Sequence, residues 1–147
     1  MPKGPDFDLA DFVPYLLNQA AEEASLAFQR VYKDRYGMLR TEWRVLFHLG
    51  HSGALTATEI GRRAKVHKTK VSRAVQALEK RRFLRREPCK SDRRAEILVL
   101  TTAGRAAFDD LGAIAERYNR DLLARLPGED REALVRSLRA LARLPLP

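Results

Sequence analysis

The stretch from Thr56 to Leu100, TATEIGRRAKVHKTKVSRAVQALEKRRFLRREPCKSDRRAEILVL, decides how this chain folds. It opens on Thr56-Ala57-Thr58-Glu59, the spacing of a capping box, in which a hydroxyl and a carboxylate satisfy reciprocal backbone N–H groups. A short helix follows, with Ile60 and Ala64 facing inward. A turn at Lys65-Val66-His67 leads to a second helix whose Val71, Ala74, Val75 and Leu78 share one face. Its other face carries Lys68, Thr69, Lys70, Ser72, Arg73 and Gln76. After Phe83-Leu84 the period changes: Leu84 to Pro88 and Glu96 to Leu100 read as strands around the charged tip Cys89-Lys90-Ser91-Asp92-Arg93-Arg94. Two short helices joined by a tight turn form a helix-turn-helix, and a hairpin behind them makes it winged.

The flanks are helical. Residues 1–8 hold Pro2, Gly4 and Pro5 and read as a loose arm. From Leu9 the stripe Phe12, Leu16, Ala20, Ala24, Ala27 and Val31 predicts a long first helix, with Pro14 tolerated near its first turn and Tyr36-Gly37 at its close. Thr41 is placed to cap a second helix carrying Trp43, Leu46, Phe47 and Leu49, stopped by Gly50 and Ser52-Gly53. Beyond the hairpin, Thr101 or Thr102 caps a fifth helix bearing Phe108, Leu111, Ala115, Tyr118, Leu122 and Leu126, ended by Pro127-Gly128. Glu129 and Asp130 open a sixth, with Leu134, Leu138 and Leu141 on one stripe. The fold class is mainly α with a small β-hairpin, in the order α-α-α-α-β-β-α-α.

The 147 residues suit one domain, and 45% hydrophobic content is enough for a core. A net charge of +9 points to a polyanionic partner. Its distribution is sharper than its sum. Arg62 to Arg94 holds 14 basic and three acidic residues, a charge of +11, which leaves −2 for the rest. A single Cys excludes an internal disulfide framework and a Cys-based zinc finger, and fits a reducing cytoplasm. No run is apolar enough for a signal peptide or a membrane span.

An α-helix fits the major groove of B-DNA, where short and medium donors reach base edges and phosphates. Lys68, Thr69, Lys70, Ser72, Arg73 and Gln76 are such donors. At the hairpin tip Arg93 and Arg94 can enter the minor groove, whose negative potential attracts guanidinium groups. The competing reading, a merely solvated helix and turn, leaves unexplained why basic excess, groove-sized helix and wing coincide.

These residues also resemble a family. Asp92-Arg93-Arg94 followed by Leu100-Thr101-Thr102-Ala103-Gly104 is similar to the D-x-R…L-T-x-x-G wing signature of the MarR regulators. Thr41 to Leu46 and Thr56 to Ala64 resemble that family's second and third helices, and the likeness covers nearly the whole chain. It implies a single domain over 1–147, with a winged helix-turn-helix lobe at 41–101 and dimerisation helices at 9–36 and 102–144. It further implies a homodimer held by residues such as Phe12, Leu16, Leu134, Leu138 and Leu141. That dimer would repress transcription from a pseudo-palindromic operator in double-stranded DNA, with relief by a small aromatic or anionic effector. On this reading Arg94 is the wing arginine and Asp92 orients the wing, since a carboxylate facing phosphate is repelled. One departure stands out: the family usually has Gly where this chain has Arg82. A positive φ there costs a non-Gly residue on the order of 1 kcal/mol.

Other chemistry is weaker. Cys89, between Arg86 and Lys90, sits where cations favour a thiolate, but no second Cys is present to resolve an oxidised one. His48 and His51 are three apart, yet lack a recognisable ligand pattern, so core-edge or loop positions account for them and no metal or other cofactor is expected. His67 belongs to the turn before the basic helix. Trp43, Phe47 and Tyr36 read as core before they read as an effector cavity. Nothing resembles a phosphate-cradling loop, a catalytic triad or an H-E-x-x-H site, so an enzyme is not expected. Two rivals remain: a basic RNA-binding protein, and a winged-helix protein-interaction module.

Overall fold

The computed structural model describes residues 7–143. The arm with Pro2, Gly4 and Pro5, and the end of the last dimerisation segment at Leu144, lie outside them. A 3-10 turn at Leu9–Asp11 precedes α1 (Val13–Tyr36), α2 (Arg40–Ser52), β1 (Leu55–Thr56), α3 (Ala57–Ala64) and α4 (Lys68–Lys80). Then come β2 (Leu84–Pro88), β3 (Glu96–Leu100), α5 (Thr102–Leu123) and α6 (Gly128–Leu141). The chain forms two compact units, one ending at Gly112 and one starting at Ala113.

The core of the first unit is drawn from every helix of the predicted lobe. Val45, Leu46 and Leu49 of α2, Ile60 of α3, Val71, Val75 and Leu78 of α4, and Leu98 of β3 are all fully buried. Each such side chain contributes about 1.5–3 kcal/mol relative to exposure. The apolar face predicted for α4 is therefore the face that anchors it. In the second unit α6 is exposed along its stripe, with Leu134, Val135 and Leu138 about two-fifths exposed and Leu141 more so.

Both strands of the hairpin stand where the period change placed them. The sheet is larger by one strand, because β1 pairs antiparallel with β3, Leu55 opposite Leu98 and Thr56 opposite Ile97, giving the order β1-β3-β2. Two residues are too few to show an alternation, so sequence carried no trace of β1. The Thr56 hydroxyl accepts from the Glu59 N–H and opens α3 as expected.

Several predicted boundaries move, each for a visible reason. The first helix begins as a 3-10 turn and becomes α-helical only at Val13, with Pro14 in its first turn. Thr41 does not cap α2. The helix starts at Arg40, and its leading N–H, that of Leu39, is satisfied by the Glu42 carboxylate reaching back. Gly50 does not stop α2 either, since the helix continues to Ser52 and Gly53, at φ 78°, closes it. Gly50 serves packing instead: a Cβ there would sit 2.3 Å from the Phe108 ring of α5. At the far end α5 finishes at Leu123, and Arg125 and Leu126 tighten into i−3 bonds before α6.

Candidate nucleic-acid interface

α4 is capped by a side chain at its start and by backbone bonds at its end. At its start the His67 Nδ1 accepts from the Thr69 N–H at 3.2 Å, which makes this turn histidine the N-cap. At its end the Arg82 N–H bonds to the Glu79 carbonyl and the Phe83 N–H to the Leu78 carbonyl, the paired bonds of a Schellman motif. That motif needs a left-handed residue, and Arg82 supplies it at φ 62°. Lys65, closing α3 ahead of α4, is also left-handed at φ 54°. The basic helix is thus bracketed by two cationic residues where glycine would be the less strained choice.

The six α4 residues singled out from sequence are all exposed. At 100° per residue, Thr69, Arg73 and Gln76 point away from the buried stripe, and Ser72 lies nearer its edge. Lys68 and Lys70 lie at its two edges. Lys68 lines a cavity of about 450 Å³ with Val66, Val71, Val75, Arg62 and Arg86. Lys70 and Arg73 line a groove with Leu39 and with Thr41 and Glu42 of α2.

The wing is built from the Leu100-Thr101-Thr102-Ala103-Gly104 segment upward. The Thr101 hydroxyl donates to the Arg82 carbonyl at 2.6 Å and accepts from the Gly104 N–H at 3.0 Å, so one side chain ties the wing base and caps α5. A Cβ at Gly104 would lie 1.9 Å from the Phe83 carbonyl oxygen, a separation only glycine permits. From that base β2 and β3 pair from Leu84 opposite Leu100 to Pro88 opposite Glu96. At the tip the Asp92 carboxylate accepts from the Arg94 N–H at 2.9 Å, which folds the turn, as expected of an orienting residue. Arg93 and Arg94 stand exposed.

Charge counting from sequence misjudged how many cations face outward. Arg85 pairs with Glu87 at 3.0 Å, and Arg86 with Glu79 at 3.1 Å and Glu96 at 3.2 Å. Arg81 donates to the Tyr36 and Gly37 carbonyls. No local pattern announces the Arg81 contacts, because Arg81 and its acceptors are 44 and 45 residues apart.

The remaining candidates settle elsewhere. The Cys89 thiol is held below its usual pKa range, but by hydrogen bonds: first the Ser91 side chain, at 3.2 Å, then the backbone at Ser91 and Asp92. The cations at Arg86 and Lys90, invoked from sequence, are not among the causes. His48 bonds the Arg44 carbonyl at 2.7 Å and stacks on Phe47, and His51 is exposed. Among the described residues no three His, Cys, Asp or Glu side chains are grouped to hold a metal. Trp43 stacks on Tyr32 and meets Phe28 and Phe47, an aromatic seam between α1 and α2. Burial pushes the Tyr32 phenol up, and burial beside Arg40 lowers the Arg44 guanidinium. Tyr36 meets Phe83 edge-on and donates to Asp110 at 2.7 Å, while Arg35 grips the same carboxylate with two bonds of 2.9 Å. Arg35, then Tyr36, hold the Asp110 carboxyl below its ordinary range. Phe12 and Leu16 are exposed on and beside α1, and Leu134, Leu138 and Leu141 on α6.

Residues 36–95, spanning α2 to the wing tip, match the model of the MarR family. Over that segment the chain is similar to the MarR regulators. It is 26% identical to the HTH-type transcriptional regulator YwoH of Bacillus subtilis (strain 168), over 81% of this chain and 88% of that one. A MarR-family transcriptional regulator from Silicibacter pomeroyi is 25% identical, covers 99% of this chain and 98% of its own, and superposes with a TM-score of 0.78. Bordetella bronchiseptica BpsR, whose DNA binding is regulated by 6-hydroxynicotinic acid, shares the fold: TM-score 0.81, 22% identity, 97% and 100% coverage. The chain has the winged-helix fold of MarR-type transcriptional regulators, and among its described residues no helix is long and apolar enough to cross a membrane.

Proposed function

We propose that this chain is a MarR-type regulator that binds double-stranded DNA in a sequence-specific manner as a homodimer, repressing a pseudo-palindromic operator until a small effector binds. One observation carries the reading. Thr69, Ser72, Arg73 and Gln76 form a continuous outward face on a helix whose opposite face is fully buried, so the groove-facing surface is rigidly presented. Lys68 and Lys70 flank that face as phosphate anchors, and Arg93 and Arg94 extend it at the wing. Two copies bring a second recognition helix about 34 Å away, one turn of duplex. Phe12 and Leu16, and Leu134, Leu138 and Leu141, are the exposed apolar side chains assigned to that assembly.

The RNA-binding alternative requires exposed aromatics for base stacking. The one aromatic of the basic segment, Phe83, is partly buried against Tyr36, which favours duplex DNA. For relief, the cavity beside Lys68 offers valine walls and a rim with the cations Arg62 and Lys68, a match for a small aromatic anion. An occupant there would compete with phosphate, and BpsR gives a precedent for an aromatic acid as regulator.

The test is selection from a random duplex library, followed by titration of the selected duplex, a scrambled duplex and structured RNA at matched salt. The expected result is a palindromic consensus, bound at least a hundredfold tighter than either control. Equal binding to all three would refute sequence-specific DNA recognition. Sedimentation showing a monomer at micromolar concentration with full operator affinity would refute the dimer.

A further inference from the structure

α1 ends as helices commonly do, with Gly37 left-handed at φ 63° and its N–H bonded to the Lys33 carbonyl. The Met38 N–H turns back to the Tyr32 carbonyl at 3.3 Å. The carbonyls of Tyr36 and Gly37 still need donors, and they carry the negative end of the helix dipole. The guanidinium of Arg81 supplies both bonds, Nη1 to Tyr36 and Nη2 to Gly37, the latter at 2.8 Å. Arg81 is the residue that ends α4.

We propose that Arg81 is a positioning residue for DNA recognition: it clasps the end of α1 and so fixes the angle at which α4 is presented. The proposal rests on the DNA-binding reading above. The planar two-donor geometry suits two adjacent carbonyls, whereas a lysine reaches them through one mobile ammonium. The clasp is reinforced next door. Phe83, two residues beyond Arg81, meets the Tyr36 ring edge-on, and Tyr36 is itself fixed by its bond to Asp110 on α5. Three helices therefore converge at the end of α1, and Arg81 is the part contributed by the recognition helix. A guanidinium engaged with carbonyls is turned from phosphate, so its effect on DNA passes through geometry.

The experiment compares wild type, Arg81→Gln and Arg81→Lys. The first measurement is amide exchange in the free protein at Gly37 and Met38. Exchange at least fivefold faster in Arg81→Gln is expected, with Arg81→Lys between the two, and unchanged exchange overturns the clasp whatever DNA does. The second is affinity for the duplex selected by wild type, for the same duplex with one base pair inserted between half-sites, and for random duplex. Arg81→Gln is expected to lose five- to thirtyfold on the native spacing and most of the preference for it, and Arg81→Lys to recover part of both. An equal loss on all three duplexes makes Arg81 an ordinary phosphate anchor and overturns the proposal, as does no loss at all. If wild type selects no sequence, the DNA reading fails, while amide exchange still decides whether the clasp exists.

Discussion

The recognition helix and the wing have similar densities of positive charge and spend it differently. On α4 the cations Lys68, Lys70 and Arg73 are exposed, and none of them forms an ion pair among the described residues. On the wing strands Arg85 is bound to Glu87 and Arg86 to Glu79 and Glu96, while the tip cations Lys90, Arg93 and Arg94 have no ion pair among the described residues. The strand arginines of the wing are thus engaged with glutamates, while the outward cations of α4 are free for a polyanion. Net charge locates the interface but overstates how many contacts it makes.

The largest effect should come from the wing base. Gly104→Ala drives a methyl into the Phe83 carbonyl, so unfolding measurements should show a loss of about 3 kcal/mol or failure to fold, at the upper end of overpacking costs. A variant as stable as wild type would mean that the wing is loosely joined, and the contrast between a stiff wing and a free tip would break.

On the helix, Arg73→Ala should cost roughly 1–3 kcal/mol per half-site and relax discrimination, provided the guanidinium meets a base edge. An equal loss on selected and random duplex would reassign Arg73 to phosphate anchoring.

A smaller effect of opposite sign is expected at the αL position behind α4. Arg82→Gly should raise stability by about 1 kcal/mol while lowering DNA affinity slightly, since the strained backbone relaxes and a cation is lost. Chemical denaturation of the two proteins checks the sign, and a destabilised glycine variant would show that the Arg82 side chain contributes packing that the exposed position does not suggest.

The smallest effect concerns pH. The Asp110 carboxyl is depressed on folding by Arg35 and Tyr36, so its contribution is present above its unfolded pKa, near 3.8, and is lost as pH falls through the lower folded value. The carboxylate is about one-third exposed, so the effect is modest. Acid unfolding curves of wild type and Asp110→Asn should differ at neutral pH and converge in acid; curves a constant distance apart down to the acid limit would contradict the ionic account.

Most of this architecture was legible in sequence because local patterns carry it. The α4 face followed from Val71, Ala74, Val75 and Leu78, and the strand limits from the change of period after Leu84. Arg82 was suspect for its family position, and its φ of 62° supplies the reason. What escaped was long-range or very short. β1 has two residues and no alternation; the Arg81 clasp joins positions 44 and 45 apart; Gly50 looked like a stop because a glycine that admits Phe108 is indistinguishable in sequence from one that ends a helix. The candidate residues of α4 were legible as a face, but the pairing that engages Arg86 joins it to Glu79 and Glu96, seven and ten positions away.

The central claim, that the unpaired tip of the wing contacts DNA while its paired strands do not, is tested by operator affinity across a salt series for wild type, Arg94→Ala and Arg85→Ala. About 8–10 neutralised phosphates per dimer give a log–log slope near −7 to −9 for wild type. Arg94→Ala should weaken binding and make the slope shallower by about 2 per dimer, while Arg85→Ala should overlay wild type. Titrations in which Arg85→Ala shifts as much as Arg94→Ala, or in which all three overlay, would contradict the account.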